Sequence, residues 1–519
     1  MTYPEWLSSS VGYQVYLQSF KDSNGDGIGD LPGLIDELDY IADLGPNLIW
    51  LSPCFVSPMR DAGYDVADYL TVDPRYGTNG DLERLFEEAH RRDIRIVLDL
   101  VAGHTSDQHP WFKRAAEGAA NELTDRYIWA ESGWRTVDGD VRFNSGYADH
   151  GAFAINFFSH QPALNYGFAN RSRGYQQAPD APGPAATREA MRGVMDYWLE
   201  RGADGFRVDM ASSLVKADPY SIETRRLWRE WRTWIDEAYP GRVLISEWSN
   251  PEMAIDAGFH ADYMIHFGVP GYGRLFFNEY GIRHSPAAWF DARANGSFAP
   301  FWTNWEHHHR NTAGRGLISL PTSNHDFQRP ACGPREAQDI AVMFAFLMTW
   351  PCLPYVYYGD ELAMRFIENL PSKEGGYDRT GARTPMQWTD GKNAGFSDGD
   401  GADLYLPLDP DEQRPTVSSE RGRVGSLWEQ AAALIAIRRV EPGLAPEAPL
   451  SILTETDPGF PLCYTRGDDW LVVLNPAGKG MKANVPVDGD WHLVAGADVA
   501  LGEHEIAAGP RTYGVFKRR

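Results

Sequence analysis

Apolar residues enter this chain as short unbroken runs, separated by stretches with helical spacing. Val15–Phe20, Asn47–Leu51 and Ile94–Leu98, the last closed by Asp99, read as buried strands. Leu31–Leu44 and Asp81–Arg91 carry their apolar positions at helical intervals, with Asp81 near the start of the second helix. Continuous apolar strands alternating with amphipathic helices describe a parallel sheet covered on both faces. From about Gly103 to about Pro184 the alternation stops, and the segment turns aromatic, polar and rich in Gly and Pro. A long excursion after the third strand reads as an inserted subdomain. Helices at Arg188–Arg201 and Tyr220–Tyr239 then flank strands at Gly205–Asp209 and Arg242–Glu247. Tyr263–Phe267, Leu317–Leu320 and Leu353–Tyr358 complete eight strands, the number that closes a (β/α)8 barrel.

Residues Met364–Gly425 read as a long loop after the eighth strand, and Trp428–Arg439 as the last helix. Five short apolar runs follow: Leu450–Leu453, Leu462–Tyr464, Trp470–Leu474, Trp491–Leu493 and Thr512–Phe516. They predict an all-β end. The expected fold class is α/β: a (β/α)8 barrel in two parts (1–103 and 185–441), an inserted domain (104–184) and a C-terminal β-sandwich domain (442–519).

The chain has 519 residues, 43% of them hydrophobic and 13% aromatic, enough for a large core with flat faces to spare for sugar rings. With a net charge of −24, the basic surface that nucleic acids require is not evident, and anionic membranes are disfavoured. Cys54, Cys332, Cys352 and Cys463 are scattered, without the spacing of a zinc site. Residues Met1–Trp6 lack a basic segment followed by an apolar run, and no run reaches the length of a membrane span. A cytoplasmic setting is the simplest expectation.

A barrel of this kind places its chemistry at the carboxyl ends of its strands. Charged residues close several of them: Asp99 with His104 just beyond, Asp209, Glu247, and the pair His325-Asp326. Arg207 and Asp209 share one strand face, so Arg207 is expected to hold Asp209 ionised as a nucleophile. Taken alone, the same spacing is also an ordinary structural ion pair. Glu247 is the acid/base candidate, its proton retained by an apolar wall such as Trp248. A charged and a neutral carboxyl on adjacent strand ends are what glycosidic cleavage requires. Asp326 is a third carboxylate to steady positive charge. His104 and His325 are hydroxyl donors, and Tyr64 is a platform for a ring. Separately, Asp22, Asn24, Asp26, Ile28 and Asp30 offer oxygens at alternate positions of a Gly-rich loop, as calcium sites do. It is not an EF-hand, because Gly33 stands where the twelfth-position Glu belongs and a strand precedes the loop. A solvated acidic turn would look the same.

With these residues in view, the chain resembles glycoside hydrolase family 13, the α-amylase superfamily. The matching segments are Asp99-Leu-Val-Ala-Gly103-His104, Gln161-Pro-Ala163-Leu-Asn165, Gly205-Phe-Arg207-Val-Asp209, Glu247, Ser323-Asn324-His325-Asp326 and Tyr357-Tyr-Gly359-Asp360-Glu361. The resemblance implies a retaining mechanism through a β-glucosyl ester on Asp209, with Glu247 as acid/base and Arg207, His104, His325, Tyr64 and Asp326 around the glucose. Asp61-Ala-Gly63-Tyr64-Asp65 and Arg379-Thr-Gly-Ala-Arg383-Thr-Pro-Met-Gln-Trp388 resemble the oligosaccharide-acting branch, which includes α-glucosidases, oligo-1,6-glucosidases and trehalose synthases. There Asp61 and Arg379 match the pair that clamps a terminal glucose, which implies exo action. Gly103 and Ala163 depart from the family pattern, the first at a position that ligates calcium in many amylases. Met210 stands where 1,6-acting relatives often carry Val, and leans away from isomaltose. The implied function is an exo-acting α-glucosidase on short α-glucosides, with glucosyl transfer. The alternatives are a trehalose synthase-like isomerase or glucosyltransferase, and a non-catalytic amylase-like binding protein. Structural calcium is the sole expected cofactor.

Overall fold

The computed structural model describes residues 3–133, 141–148, 151–266, 269–374 and 378–519. Eight parallel strands close into a barrel: β1 Gly12–Val15, β2 Leu48–Leu51, β3 Arg95–Leu100, β4 Gly205–Val208, β5 Val243–Ser246, β6 Ala261–Tyr263, β7 Leu317–Pro321 and β8 Leu353–Tyr357. Each pairs with its neighbour in the chain, and β8 pairs with β1. Strand residues are buried on both faces, which is why they read as unbroken apolar runs.

The alternation of side chains makes two cores. Leu48, Trp50, Val97, Ile245, Tyr263 and Tyr355 fill the lumen. Their strand neighbours turn outward against the helices, in a layer that includes Leu51, Leu98, Phe206, Leu244 and Val356. Close approach forces glycine at two strand starts. A Cβ on Gly12 would lie 2.3 Å from the Tyr355 ring, and one on Gly205, at φ 145°, would lie 2.0 Å from the Val243 carbonyl oxygen.

Several boundaries differ from expectation. The first strand is Gly12–Val15 rather than Val15–Phe20. Leu17–Ser19 form a 3-10 turn, and Leu17 and Phe20 are apolar because that turn is buried, not because it is extended. The sixth strand ends at Tyr263, and Met264 and Ile265 are buried in the loop beyond it; Phe267 lies outside the described residues. Leu31–Leu44 is two helices, Leu31–Asp36 and Leu38–Leu44, broken at Glu37. The helix expected from Arg188 begins at Pro182, where proline suits a first turn. The one expected from Tyr220 begins at Ile222, after Tyr220 and Ser221 take positive φ.

Between β3 and Pro182 the described residues carry no barrel strand, but a three-stranded antiparallel sheet with Gly151–Ile155 in the middle. After β2, Phe55–Val56 and Asp68–Val72 form a small ribbon. Asp61 and Tyr64 lie in the loop between its strands. The C-terminal region is all β. One sheet runs Leu450–Ile452, Leu462–Arg466, Trp470–Asn475, Thr512–Arg518, Trp491–Gly496. A second contains Met481–Ala483, Ile506–Ala508 and Val499–Leu501. Those three short strands escape a sequence reading because each is only three residues long. Among the described residues no helix is long and apolar enough to cross a membrane.

Candidate active site

Asp209 and Glu247 each stand one residue beyond a strand, β4 and β5, and the two strands are neighbours. The rim therefore presents both carboxylates side by side. Arg207 lies within β4, 2% exposed in side chain, in register with Asp99 on β3 and Ile245 on β5. Its guanidinium joins three carboxylates. Nη1 donates to Asp99 Oδ1 at 3.0 Å and to Asp209 Oδ1 at 3.3 Å, while Nη2 lies 2.8 Å from Glu247 Oε2. The cation also rests 4.6 Å above the Trp50 ring. Asp99 is held further by the Trp50 indole at 3.0 Å and the Tyr64 hydroxyl at 2.9 Å.

One guanidinium against three buried carboxylates leaves the corner short of positive charge. Burial, and then the Glu247 carboxylate, push Asp209 well above the ordinary range, with Arg207 pulling the other way. Burial raises Asp99 as well. Arg207 does lower the Asp209 pKa, as expected of it, but it is shared among three carboxylates and burial and Glu247 outweigh it. Glu247 has polar partners, Arg207 Nη2 and the Met210 amide at 3.2 Å, and shares its cavity with Trp248.

Asp326 sits in a different setting. Oδ1 accepts from Arg379 at 2.8 Å and from Arg383 at 3.0 Å. Burial raises its pKa, but the positive groups around it, His325 when charged, Arg379 and Arg383, hold it well below the usual carboxylate range. Arg379 also donates to Asp61 at 2.9 Å, and Asp61 accepts from Gln161 at 2.8 Å. Arg383 pairs in turn with the buried Glu374, on which the Tyr16 hydroxyl and Gln18 amide also converge.

His325 is stacked between Tyr64 (5.4 Å, 6°) and Tyr16 (5.9 Å, 13°). Its Nδ1 lies 2.9 Å from Gln14 Nε2, an amide donor, so Nδ1 accepts and Nε2 carries the proton. Nε2 is buried without a hydrogen-bond partner and lies 3.4 Å from Asp326 Oδ2. Burial lowers the His325 pKa to about 3. His104 differs: Nε2 donates to the Tyr64 carbonyl at 3.1 Å and Nδ1 meets Asn156 at 3.2 Å, so both ring nitrogens are engaged within the protein.

A cavity of about 380 Å³ opens over this rim. Tyr64, Asp209, Glu247, Asp326 and Arg379 form its polar wall, and Phe157, Met210, Trp248 and Ile265 its apolar one. Asp61, Arg207, His104 and His325 are buried behind that wall rather than lining it. Sequence reasoning set Asp99 at the rim without a role and missed Arg383 as a site residue. The signals were present, a carboxylate at a strand end and a second arginine four positions after Arg379. It also missed Glu374 and Phe157, for which no local pattern exists.

Two places bear on metals. Beside Gly103, Lys216 Nζ bridges Asn156 Oδ1, at 2.9 Å, and the Ser213 carbonyl. A cation from the protein itself joins the inserted segment to the β4 loop there. In the Asp22–Asp30 loop, Asp22 accepts from the amides of Asn24, Gly25 and Gly27, Asn24 from Asp26, and Asp26 from Ile28. Asp30 accepts from Ser23 and caps the next helix through Gly33. This chain of tight turns sets oxygens along one loop, but its carboxylates are turned to backbone amides. Among the described residues, the three-residue group with ligand atoms within 4.8 Å of one another is Glu252, His307 and His308, none of which lines the cavity.

Comparison with known proteins agrees with this geometry. Residues 14–446 match the alpha-amylase catalytic domain. The chain is 32% identical to the trehalose synthase/amylase TreS of Mycobacterium tuberculosis, over 91% of its own length and 81% of the relative's. It is 29% identical to the oligo-1,6-glucosidase of Parageobacillus thermoglucosidasius, over 90% of each. Among solved structures, the alpha-glucosyl transfer enzyme XgtA superposes with a TM-score of 0.79 over 99% of both chains, at 26% identity. The chain belongs to the alpha-amylase family, glycoside hydrolase family 13, and is an enzyme of its glycoside hydrolase and transglycosidase class.

Proposed function

We propose that this enzyme cleaves the terminal α-glucosyl residue from short α-glucosides with retention, through a covalent ester on Asp209. The observation that carries the reading is the Arg379 bridge between Asp61 and Asp326, which walls the pocket beside the catalytic pair. A wall of fixed charge there suits the hydroxyl end of a chain and leaves room for one glucosyl unit. Asp209 Oδ attacks the anomeric carbon as the glycosidic bond breaks. Glu247 gives its proton to the departing oxygen, then takes one from water or from an acceptor hydroxyl. Glu247 must carry the proton when the first step begins. Asp326, ionised by its two arginines, faces the positive charge that develops on the sugar. His325 Nε2 donates to a ring hydroxyl.

A second reading, isomerisation or transfer to a sugar acceptor, is favoured by the apolar wall of Phe157, Met210, Trp248 and Ile265. Such a face binds a second ring and sheds water. The relative TreS, named a trehalose synthase/amylase, points the same way. Incubation with maltose, isomaltose, sucrose, trehalose and a nitrophenyl α-glucoside, followed by NMR, separates the readings. Free α-glucose as the first product supports hydrolysis, and new disaccharides without net glucose support isomerisation. Turnover of none of the five would overturn both.

For the Asp22–Asp30 loop we propose a structural calcium ion, with Asp22, Asn24, Asp26, the Ile28 carbonyl and Asp30 as ligands. Chelation would lower the melting temperature and added calcium restore it. An unchanged melting curve would leave the loop as a self-capped turn. The free, buried cysteines fit a cytoplasmic setting, which fractionation of the native host would test.

A further inference from the structure

The residues on either side of Glu247 are tied to one buried carboxylate. Asp262 lies on β6 in register with Ser246, the last residue of β5. Its strand neighbours Ala261 and Tyr263 belong to the lumen core, so Asp262 turns to the outer face. It is 0% exposed. Its Oδ1 accepts from the Ser246 hydroxyl at 2.6 Å and from the Trp248 amide at 2.9 Å. The amides of Ser249 and Asn250 also face it. Ser249 takes φ 57°, a conformation rare for a residue with a side chain. That turn wraps the loop around the carboxylate. Successive amides gathered in this way make an anion-holding concavity, and here the anion comes from the protein itself. Burial pushes the Asp262 carboxyl up to about 7 against these donors.

We propose that Asp262 is a positioning residue for the acid/base: by holding Ser246 and Trp248 it sets where the Glu247 carboxyl stands. The inference rests on the reading of Glu247 given above. Trp248 and Ser249 line the cavity with Glu247, so the same anchor shapes the wall against which the departing group lies. Asp262 touches no reacting atom. It acts through the aim of the proton that Glu247 delivers to the glycosidic oxygen.

Leaving-group dependence tests this. A poor leaving group, the alkoxide of a sugar, needs that proton; a nitrophenolate scarcely does. The full-length enzyme and its Glu247→Gln, Asp262→Asn and Ser246→Ala variants would be compared by kcat/KM on a disaccharide the enzyme turns over and on a nitrophenyl α-glucoside. Glu247→Gln should lose about 10²-fold or more on the disaccharide and far less on the aryl substrate. Asp262→Asn should show the same asymmetry, about tenfold or more against less than about threefold. Ser246→Ala removes one of the donors that hold Asp262 and should show it at about threefold on the disaccharide, which keeps the test open if Asp262→Asn does not fold. Equal losses on both substrates, or no loss, in the folded variants would overturn the role of Asp262 while Glu247→Gln keeps its pattern. If Glu247→Gln shows no asymmetry, the acid/base reading itself fails and this inference with it.

Discussion

Two corners of one rim hold carboxylates in opposite states. At the β4–β5 corner Asp99, Asp209 and Glu247 share the single guanidinium of Arg207. At the other corner Asp326 takes both Arg379 and Arg383, which also reach Asp61 and Glu374. Both sites are buried, so desolvation does not distinguish them. Charge balance does. In the first corner one cation is divided among three carboxylates and Asp209 is pushed up; in the second, Asp326 itself holds two cations and is pushed down. Acid catalysis needs the one, and a developing positive charge needs the other.

Removing the nucleophile should break the first corner most completely. Asp209→Asn is expected to lower kcat by about 10⁴-fold or more, read from initial rates, with the melting curve little changed. Arg207→Met leaves three buried carboxylates without their cation. It should cost about 3–5 kcal/mol of stability in urea unfolding. At the second corner the loss should be smaller, because Asp326 keeps one arginine. Arg379→Ala should lower kcat/KM by about 10²-fold, through Asp61 and Asp326 together, and bring the Asp326 pKa back towards its usual range.

The comparison also has a pH signature. His104 and His325 are held neutral in the fold down to about pH 3, whereas in the unfolded chain histidine charges near pH 6.5. Between those values the unfolded chain binds more protons, so stability falls as pH drops below about 6.5. Each histidine steepens that fall by up to about 1.4 kcal/mol per pH unit. Asp326, with its folded pKa depressed, adds stability above its unfolded pKa and loses it only below about pH 4. His325→Gln should therefore flatten the stability profile between pH 6.5 and 4, as read by urea unfolding, and leave the slope below pH 4 in place. The smallest effect is expected of Arg383→Lys, which keeps the charge beside Asp326 but loses the fork. A loss of less than about tenfold in kcat/KM would fit, and a loss as large as that of Arg379→Ala would show that the two arginines are not redundant.

Legibility divided along the same physical line. Strands β2, β4, β5, β7 and β8 were readable because buried parallel strands are continuously apolar, and their ends then mark the rim. Asp209, Glu247 and Asp326 fell out of that reading together with the family segments that contain them. β1 was misplaced because Leu17 and Phe20 are apolar for burial in a turn, and apolarity alone does not distinguish a turn from a strand. Glu374 was invisible for a different reason. It lies in a polar loop, and its importance comes only from Tyr16, Gln18 and Arg383 converging on it from distant parts of the chain.

The order of elements, the identity of the acids at the strand ends and the family were set by local pattern, because side-chain periodicity and strand-end placement are one-dimensional properties. Which acid is pushed up and which down was not. Arg207 is two residues from Asp209 in the chain, yet closure of the barrel brings Asp99 and Glu247 to the same guanidinium, and electrostatic balance depends on neighbours in space.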